Sequence, residues 1–273
     1  MKQFFSYVKG RVRADKILTA IVFVFIAFCV GSGIYFGVIG QARNCVMSFA
    51  YLLVVPVIYA VEYGVRLRFA PLFMAILLFL IAGGILGSAY DLYNYIPRFD
   101  EILHGISGVI FAVLGFSLMK ALLGKEESNK NFFICLFVGL LFSLSIALLW
   151  EMFEYAAYAF FGIDMQEDML IDGFSSYFLM GTHNATEVID GITQTVIYYA
   201  DGTKVILGGY LDVGLFDTLN DMLVCLMGGV VYIAALLIDH KLGGRLRRLL
   251  VPETNAFERA KRQKKEKAPA KEL

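Results

Sequence analysis

Six long apolar segments are the feature that most constrains how this chain of 273 residues can fold. A helix needs about 20 mostly apolar residues to cross the hydrocarbon core of a membrane. The segments are residues 17–40, 45–62, 69–89, 102–123, 132–161 and 213–238. The second is the shortest and carries Pro56, which is expected to kink it. The sequence therefore predicts an all-α, polytopic transmembrane helical bundle with six spans.

The composition agrees with a membrane protein. Apolar residues make up 59% of the chain and charged residues 18%, whereas soluble domains average roughly 45–50% and 25%. The 24 basic and 24 acidic residues cancel to a formal net charge of zero. A neutral chain with so few charges is not expected to bind nucleic acid. No glycine-rich phosphate loop follows a strand, so no nucleotide cofactor is expected either.

The positions of the basic residues predict the orientation of the spans. If the N-terminus lies in the cytoplasm, 21 of the 24 Lys and Arg residues fall on the cytoplasmic side. Only Arg43, Arg98 and Lys204 then fall outside. Lys and Arg accumulate in the cytoplasmic segments of membrane proteins. Both termini are therefore predicted to be cytoplasmic.

Three parts follow from this orientation. Residues 1–16 form a basic cytoplasmic N-terminus, and residues 17–240 form the membrane domain. Residues 241–273 form a polybasic cytoplasmic tail, which is expected to contact anionic lipid headgroups. The lipid bilayer is thus the partner that the sequence predicts, while protein partners stay open.

The longest segment outside the predicted spans is the acidic stretch 162–212, on the outer side. Its second half holds two β-rich runs, residues 195–199 and 204–207. They flank Asp201-Gly202, a pair that favours a type I′ hairpin turn. The sequence predicts a small outer cap that contains a β-hairpin, between the fifth and sixth helices.

Charged residues occur in pairs in the last three predicted helices. The pairs are Asp100 with His104, Glu151 with Glu154, and Asp217 with Asp221. Spacings of three or four residues place both members of a pair on one face of a helix. Given the predicted orientation, all three pairs fall near the outer side. Because a charge inside a span costs roughly 2.5–3.5 kcal/mol even on an insertion scale, and the carboxylates repel one another, the pairs are expected to need a counter-charge.

A divalent cation is one compensation for five carboxylates and one imidazole in a single layer, and shared protons are the other. Oxygen and nitrogen ligands without sulfur suit Zn²⁺, Mn²⁺ or Mg²⁺. The predicted metal ligands are His104, Glu151, Glu154 and Asp221. Asp100 and Asp217 lie nearer the helix ends, where they can be wet headgroup-level residues, and they are the candidates for a catalytic role.

The order of these motifs resembles a known family. The matching residues are Asp100…His104…Gly108, Trp150-Glu151…Glu154, and Asp217-Thr218…Asp221-Met222…Gly228. This pattern resembles the YjdF-like family of bacterial multi-pass membrane proteins and, more distantly, VanZ-like proteins. The resemblance covers the last three helices, about half of the chain. It implies a protein of the bacterial cytoplasmic (inner) membrane with a polar site, and it implies no known reaction.

The sequence leaves three functions open, and only one of them is that of an enzyme. The first is a metal-dependent enzyme that acts on a lipid or envelope precursor. The second is a cation- or proton-coupled transporter, and the third is a structural or sensor protein. A rhomboid-like protease is not favoured, although Ser107 lies in a Gly-x-Ser-Gly motif, because the sixth helix has no histidine before His240.

Overall fold

The computed structural model describes residues 2–124 and 128–254, and it is mainly helical. Six of its helices are long and apolar enough to cross a membrane: Lys16–Val38, Ala42–Gly64, Pro71–Ala89, Phe99–Leu123, Asn129–Phe161 and Leu215–Lys241. These segments match the six predicted spans to within a few residues at each end. The helical bundle is thereby confirmed, while its orientation in a membrane stays a prediction.

The helices and strands follow in this order. The helices are α1 (Lys2–Ala14), α2 (Lys16–Val38), α3 (Ala42–Ala50), α4 (Val54–Gly64), α5 (Pro71–Gly84), α6 (Leu92–Tyr95), α7 (Phe99–Leu123), α8 (Asn129–Phe161), α9 (Tyr177–Met180), α10 (Leu215–Lys241) and α11 (Arg245–Leu250). The strands are β1 (Leu67–Arg68), β2 (Leu170–Ile171), β3 (Phe174–Ser176), β4 (Glu187–Ile189), β5 (Thr195–Tyr198), β6 (Lys204–Leu207), β7 (Tyr210–Leu211) and β8 (Glu253–Thr254).

The chain is divided into two compact units. The first comprises Met1–Ala147 and Val224–Leu273, and the second comprises Leu148–Leu223. The core of the first unit is built from large apolar side chains of several helices, among them Leu18, Phe73, Ile110, Phe116 and Leu236. The second unit holds the C-terminal part of α8, the long acidic segment and the beginning of α10.

The second span is interrupted close to Pro56, as its sequence predicts. A single 3₁₀ turn, Tyr51–Leu53, separates α3 from α4. Proline has no N–H, and its ring collides with the carbonyl group four residues earlier in a regular α-helix. That carbonyl belongs to Leu52, inside the 3₁₀ turn. The 3₁₀ turn therefore lies where a regular α-helix would bring the proline ring against this carbonyl.

Helices α7 and α10 approach each other closely in the first unit through small residues. A methyl group added to Gly108 would overlap the carbonyl oxygen of Cys225, and one added to Gly228 would overlap that of Gly105. The hydroxyl of Ser143 on α8 donates to the carbonyl oxygen of Gly108 at 3.0 Å. Small residues thus let the two backbones touch, which is how they are used in membrane helix pairs.

Replacing Gly108 with alanine is expected to destabilise the protein by about 1–3 kcal/mol, the usual cost of overpacking a tight interface. The added methyl group meets backbone, which cannot rotate away as a side chain would. Gly31 of α2 is the matched control, because nothing lies within 4 Å of a methyl group there. Unfolding in detergent should show a loss for Gly108→Ala and no loss for Gly31→Ala. Equal stability of the two variants would contradict the close contact.

The N-terminal segment is a helix that is attached to a buried carboxylate of α4. The sequence did not predict this attachment. Glu62 of α4 is fully buried, and Arg11 of α1 donates to its carboxylate from Nη2 at 3.1 Å. The hydroxyl of Tyr7 donates to the same carboxylate at 2.9 Å, and the backbone N–H of Phe69 at 2.6 Å. Burial, together with the charge of Glu62, raises the pKa of Tyr7. Helix α1 is therefore fastened to the end of the second span.

The C-terminal segment is also attached to the first unit. Asp239, near the end of α10, accepts hydrogen bonds from the backbone N–H groups of Leu246 at 2.8 Å and Arg247 at 3.0 Å. Strand β8 then pairs antiparallel with β1, which lies between α4 and α5. Most of the predicted polybasic tail, residues 255–273, lies outside the described residues, as does Lys125 of the turn after α7.

The acidic segment of the second unit contains three short antiparallel strand pairs, β2 with β7, β3 with β4, and β5 with β6. The predicted hairpin is confirmed, but the predicted type I′ turn is wrong. Within the loop only Gly202 has a positive φ, 85°, whereas a type I′ turn needs two such residues. The N–H of Gly202 donates to the carbonyl of Tyr199, and Tyr199 pairs with Thr203. The loop is thus the three-residue kind, a type I turn followed by a left-handed glycine.

Candidate functional site

The first turns of α7 carry a histidine and a carboxylate side by side. The helix begins at Phe99, directly after Pro97 and the left-handed residue Arg98. One turn separates Asp100 from His104, and His104 Nε2 lies 3.6 Å from Asp100 Oδ2. Both side chains are shielded, with relative exposures of 24% for Asp100 and 10% for His104. The structure therefore holds a His–carboxylate pair where the spacing of these residues predicts one.

The 3.6 Å separation is longer than a charge-assisted hydrogen bond, which spans about 2.7–2.9 Å between N and O. It is close to the separation of two ligands on one tetrahedral ion. Ligand atoms about 2.1 Å from a zinc ion lie roughly 3.4 Å apart at the tetrahedral angle. The pair is therefore arranged in a way that suits two ligands of a shared cation.

Two carboxylates in the C-terminal half of α8 are buried, as their place within an apolar run predicts. The relative exposure is 4% for Glu151 and 6% for Glu154. The adjacent Met152 and Phe153 are more than half exposed, so the helix turns its acids inward and its apolar side chains outward. The indole N–H of Trp150 donates to Glu154 Oε1 at 2.7 Å. These acids are thus not loop residues, and Glu154 has an oriented carboxylate.

The beginning of α10 places its two acids in different settings. Asp221 is almost fully buried, at 1% relative exposure. Asp217, one turn earlier, accepts the backbone N–H of Glu167 at its Oδ2 atom, 3.0 Å away. The side-chain amide of Gln166 donates to the hydroxyl of Thr218 beside it. Asp217 therefore anchors the acidic segment to α10, a structural role that adds to the catalytic one the sequence suggests.

A second anchor of the acidic segment is Asp212, which the sequence did not single out. Its carboxylate accepts the backbone N–H groups of Met169 at 2.8 Å, Phe216 at 2.8 Å and Gly214 at 3.2 Å. Partial burial acts to raise the pKa of Asp212, but these three donors outweigh it and hold the pKa below its ordinary value. The ionised carboxylate thus holds the two ends of the acidic segment together.

Low pH is expected to weaken the hydrogen bonds that Asp212 accepts at the ends of the acidic segment. A carboxyl whose pKa is lowered by folding contributes stability above its unfolded pKa, about 3.9, and loses it as the pH falls through the lower, folded pKa. Hydrogen exchange of the Met169 and Phe216 amides should therefore accelerate once the pH drops below about 4, relative to the intrinsic rate. In Asp212→Asn this extra acceleration should vanish, and exchange should be faster at neutral pH. An unchanged acid response in that variant would contradict the role of Asp212.

Serine 107, the residue of the rhomboid-like motif, is engaged in packing. Its hydroxyl donates to the carbonyl oxygen of His104 in the same helix at 2.7 Å. Its other close neighbour is Cys225 of α10, 3.7 Å from Oγ to Sγ. Ser107 thus serves the close contact of α7 and α10, in agreement with the packing interpretation of this motif.

The sequence-predicted residues fall into two groups. Asp100 and His104 of the first unit form a pair, and Glu151, Glu154 and Asp221 of the second unit are buried carboxylates. Sequence reasoning missed the Arg11–Glu62 pair, although the apolar and basic residues of 2–14 alternate with a helical period that could have indicated an amphipathic helix.

A protein-family model described as "Predicted membrane protein (DUF2238)" matches residues 17–242 of the chain. The match spans all six helices, whereas the motif resemblance covered three. It agrees with the expected resemblance to a YjdF-like family of multi-pass membrane proteins. No curated protein and no solved structure matches the chain.

Proposed function

We propose that this chain, which belongs to the DUF2238 family of predicted membrane proteins, binds a divalent cation in the outer part of its membrane domain and uses it on a lipid or envelope precursor. The proposed ligands are Asp100 and His104, which form a pair, and Asp221, which the sequence predicts as a ligand. Glu151 and Glu154 belong to the same sequence-predicted set of ligands. The observation that carries the proposal is the shielded His104–Asp100 pair, with its 3.6 Å spacing between Nε2 and Oδ2.

Helix geometry supports the inclusion of Asp221. Helix α10 is continuous, so Asp221 lies one turn before Cys225 on the same face. Cys225 belongs to the close contact with α7 through Ser107 and Gly108. His104 precedes those two residues by one turn of α7. Asp221 and His104 are therefore each one helical turn away from residues of this contact, which supports both as ligands.

The chemistry follows from the ligand types. A divalent cation held by these groups would polarise a phosphoryl or carbonyl oxygen and acidify bound water. Asp217 is the proposed proton acceptor, since its Oδ2 atom already accepts the Glu167 N–H and the side chain is thereby oriented. Glu151 and Glu154 are buried carboxylates, and negative charge of this kind favours a cation over an anion.

The location and orientation belong to the same proposal. We place the protein in the bacterial cytoplasmic membrane with both termini in the cytoplasm. The attachment of α1 to Glu62 and the pairing of β8 with β1 support a common side for the N-terminal helix, the segment between α4 and α5, and the C-terminal segment. These are the elements in which the basic residues accumulate.

Metal analysis of the detergent-purified protein tests the proposal. Cells are grown with Zn²⁺, Mn²⁺ and Mg²⁺ supplied, and metals are counted per chain in the purified protein. We expect about one divalent ion per chain and a higher unfolding temperature when that ion is returned after chelation. Protein that carries no such ion and gains no stability from any of the three would overturn the proposal.

Transport is the second candidate, because two glutamates are buried in one predicted span. A pathway would also need polar groups in the inner half of the bundle. The hydroxyls of Ser143 and Ser145, which the sequence suggested for it, donate instead to the carbonyls of Gly108 and Leu141. Cation or proton flux in proteoliposomes that disappears in Glu151→Gln would make transport the better assignment.

A further inference from the structure

An apolar groove of about 390 Å³ runs along the first unit between α1, α2 and α4. Its walls include Phe5 and Val8 of α1, Phe23 and Ile26 of α2, and Val55 of α4. Volumes of roughly 300–1,000 Å³ are those of sites that hold small molecules in proteins. The groove lies far along the chain from the proposed metal ligands, at the end of α2 where Arg11 and Glu62 meet.

Among the described residues, one polar group that lines this groove has no hydrogen-bond partner. Tyr59 of α4 lines the groove and is 4% exposed, and its hydroxyl makes no hydrogen bond to any described residue. The hydroxyl of Thr19, which also lines the groove, is satisfied by the carbonyls of Val12 and Asp15. Buried hydroxyls are normally hydrogen-bonded, because an unpaired one loses its interactions with water. Tyr59 therefore indicates a ligand that brings an acceptor oxygen into an otherwise apolar site.

Positive charge borders the groove. Lys9 and Arg13 follow the lining residues of α1, and Lys16 begins α2 one turn before the groove. All three side chains are exposed. Arg11, in contrast, is buried against Glu62 and is neutralised there. The border of the groove thus carries three basic side chains that take no part in the Arg11–Glu62 ion pair.

We propose that this groove binds an anionic phospholipid of the surrounding bilayer. One acyl chain fills the apolar groove, and the Tyr59 hydroxyl donates to the ester carbonyl at the head of that chain. The phosphate lies against Lys9, Arg13 and Lys16. Each part of the lipid matches a separate feature of the groove. Its hydrocarbon chain matches the apolar walls, its ester carbonyl matches the buried hydroxyl, and its negative charge matches the basic border. A zwitterionic lipid satisfies only the first two.

Quenching by brominated lipid tests this proposal. The full chain carries Trp150→Phe and Phe23→Trp, so that its indole reports from the groove, and it is reconstituted in phosphatidylcholine vesicles. Dibromo-phosphatidylglycerol or dibromo-phosphatidylcholine is then added at the same mole fraction. We expect phosphatidylglycerol to associate at least threefold more strongly at this reporter. The matched reporter Phe79→Trp, at an exposed position of α5, should show a ratio close to one.

Two sets of variants assign the preference to the groove. Joint replacement of Lys9, Arg13 and Lys16 by glutamine should bring the ratio at the groove reporter to about one. Tyr59→Phe should weaken association of both lipids at least twofold. Tyr232→Phe, which removes another buried hydroxyl that bonds to no described residue, should leave it unchanged. A ratio of one in the unaltered groove, or the same result for both tyrosine variants, would show an ordinary lipid-facing surface and overturn the proposal.

Native mass spectrometry of the protein without reporter substitutions gives an independent reading. Protein extracted from mixed phosphatidylglycerol and phosphatidylcholine membranes should retain one phosphatidylglycerol per chain in preference. The Lys9, Arg13 and Lys16 glutamine variant should lose that retained lipid. Retention of both lipids in their membrane ratio would contradict a site selective for anionic lipid.

Discussion

Replacing His104 with alanine is expected to remove the divalent cation from the purified protein. His104 is the one imidazole of the proposed ligand set, and its Nε2 atom faces Asp100 Oδ2 at 3.6 Å. Outer partners of metal ligands already contribute about 10–100-fold to metal affinity, so loss of a ligand should lower the affinity at least about 100-fold. Elemental analysis and titration of the chelated protein with Zn²⁺, Mn²⁺ and Mg²⁺ measure this loss directly.

The chain offers a matched control, since it holds only three histidines. His183 lies in the acidic segment, where its ring contacts Tyr177. His183→Ala removes the same atoms and should keep one metal ion per chain. If both variants lose metal equally, or both retain it, then His104 is not a ligand. Helical content measured alongside shows that His104→Ala is still folded.

Removing the charge of Glu62 should destabilise the protein by about 3–5 kcal/mol, the cost of leaving one partner of a buried ion pair without the other. Glu62→Gln keeps the size of the side chain but leaves the buried Arg11 with only the partly exposed Asp15 as a counter-charge, at 3.3 Å. Detergent unfolding measures the loss. Trypsin cleavage at Arg11 and Arg13 shows whether α1 has detached from α4.

Arg13→Met is the comparison for this second experiment. Arg13 lies two residues after Arg11 on α1, but its side chain is exposed. Changes at such surface positions usually stay within about 0.5 kcal/mol. Should Glu62→Gln cost no more than Arg13→Met, the ion pair would contribute nothing to the attachment of α1. Protection of α1 from trypsin in Glu62→Gln would lead to the same conclusion.

Local patterns were sufficient to predict the spans and the charged pairs. Hydropathy over about 20 residues reports burial in a membrane whatever the neighbouring helices are, so all six spans could be found. The spacing of Asp100 and His104 is a property of one helix, and the observed pair follows from it. The buried state of Glu151 and Glu154 likewise follows from the apolar residues on both sides of them.

Contacts between distant residues could not be predicted in the same way. Arg11 and Glu62 are 51 residues apart, and each lies where a solvated cytoplasmic charge is also expected. Strands β2 and β7 contain two residues each, too few for an alternating pattern, so only their pairing identifies them. The hairpin was visible in its β-rich runs, but its turn type depends on the φ of Asp201, which a favoured pair of residues does not determine.

The attachment of α1 has a consequence for the order of assembly during synthesis. Helix α1 leaves the ribosome before the first span, yet its acceptor Glu62 lies at the end of the second span, and Phe69, whose carbonyl also accepts from Arg11, lies beyond it. The N-terminal helix therefore has no permanent place until the first two spans are in the membrane and the chain has turned toward the third. Its docking marks the completion of the first helical hairpin.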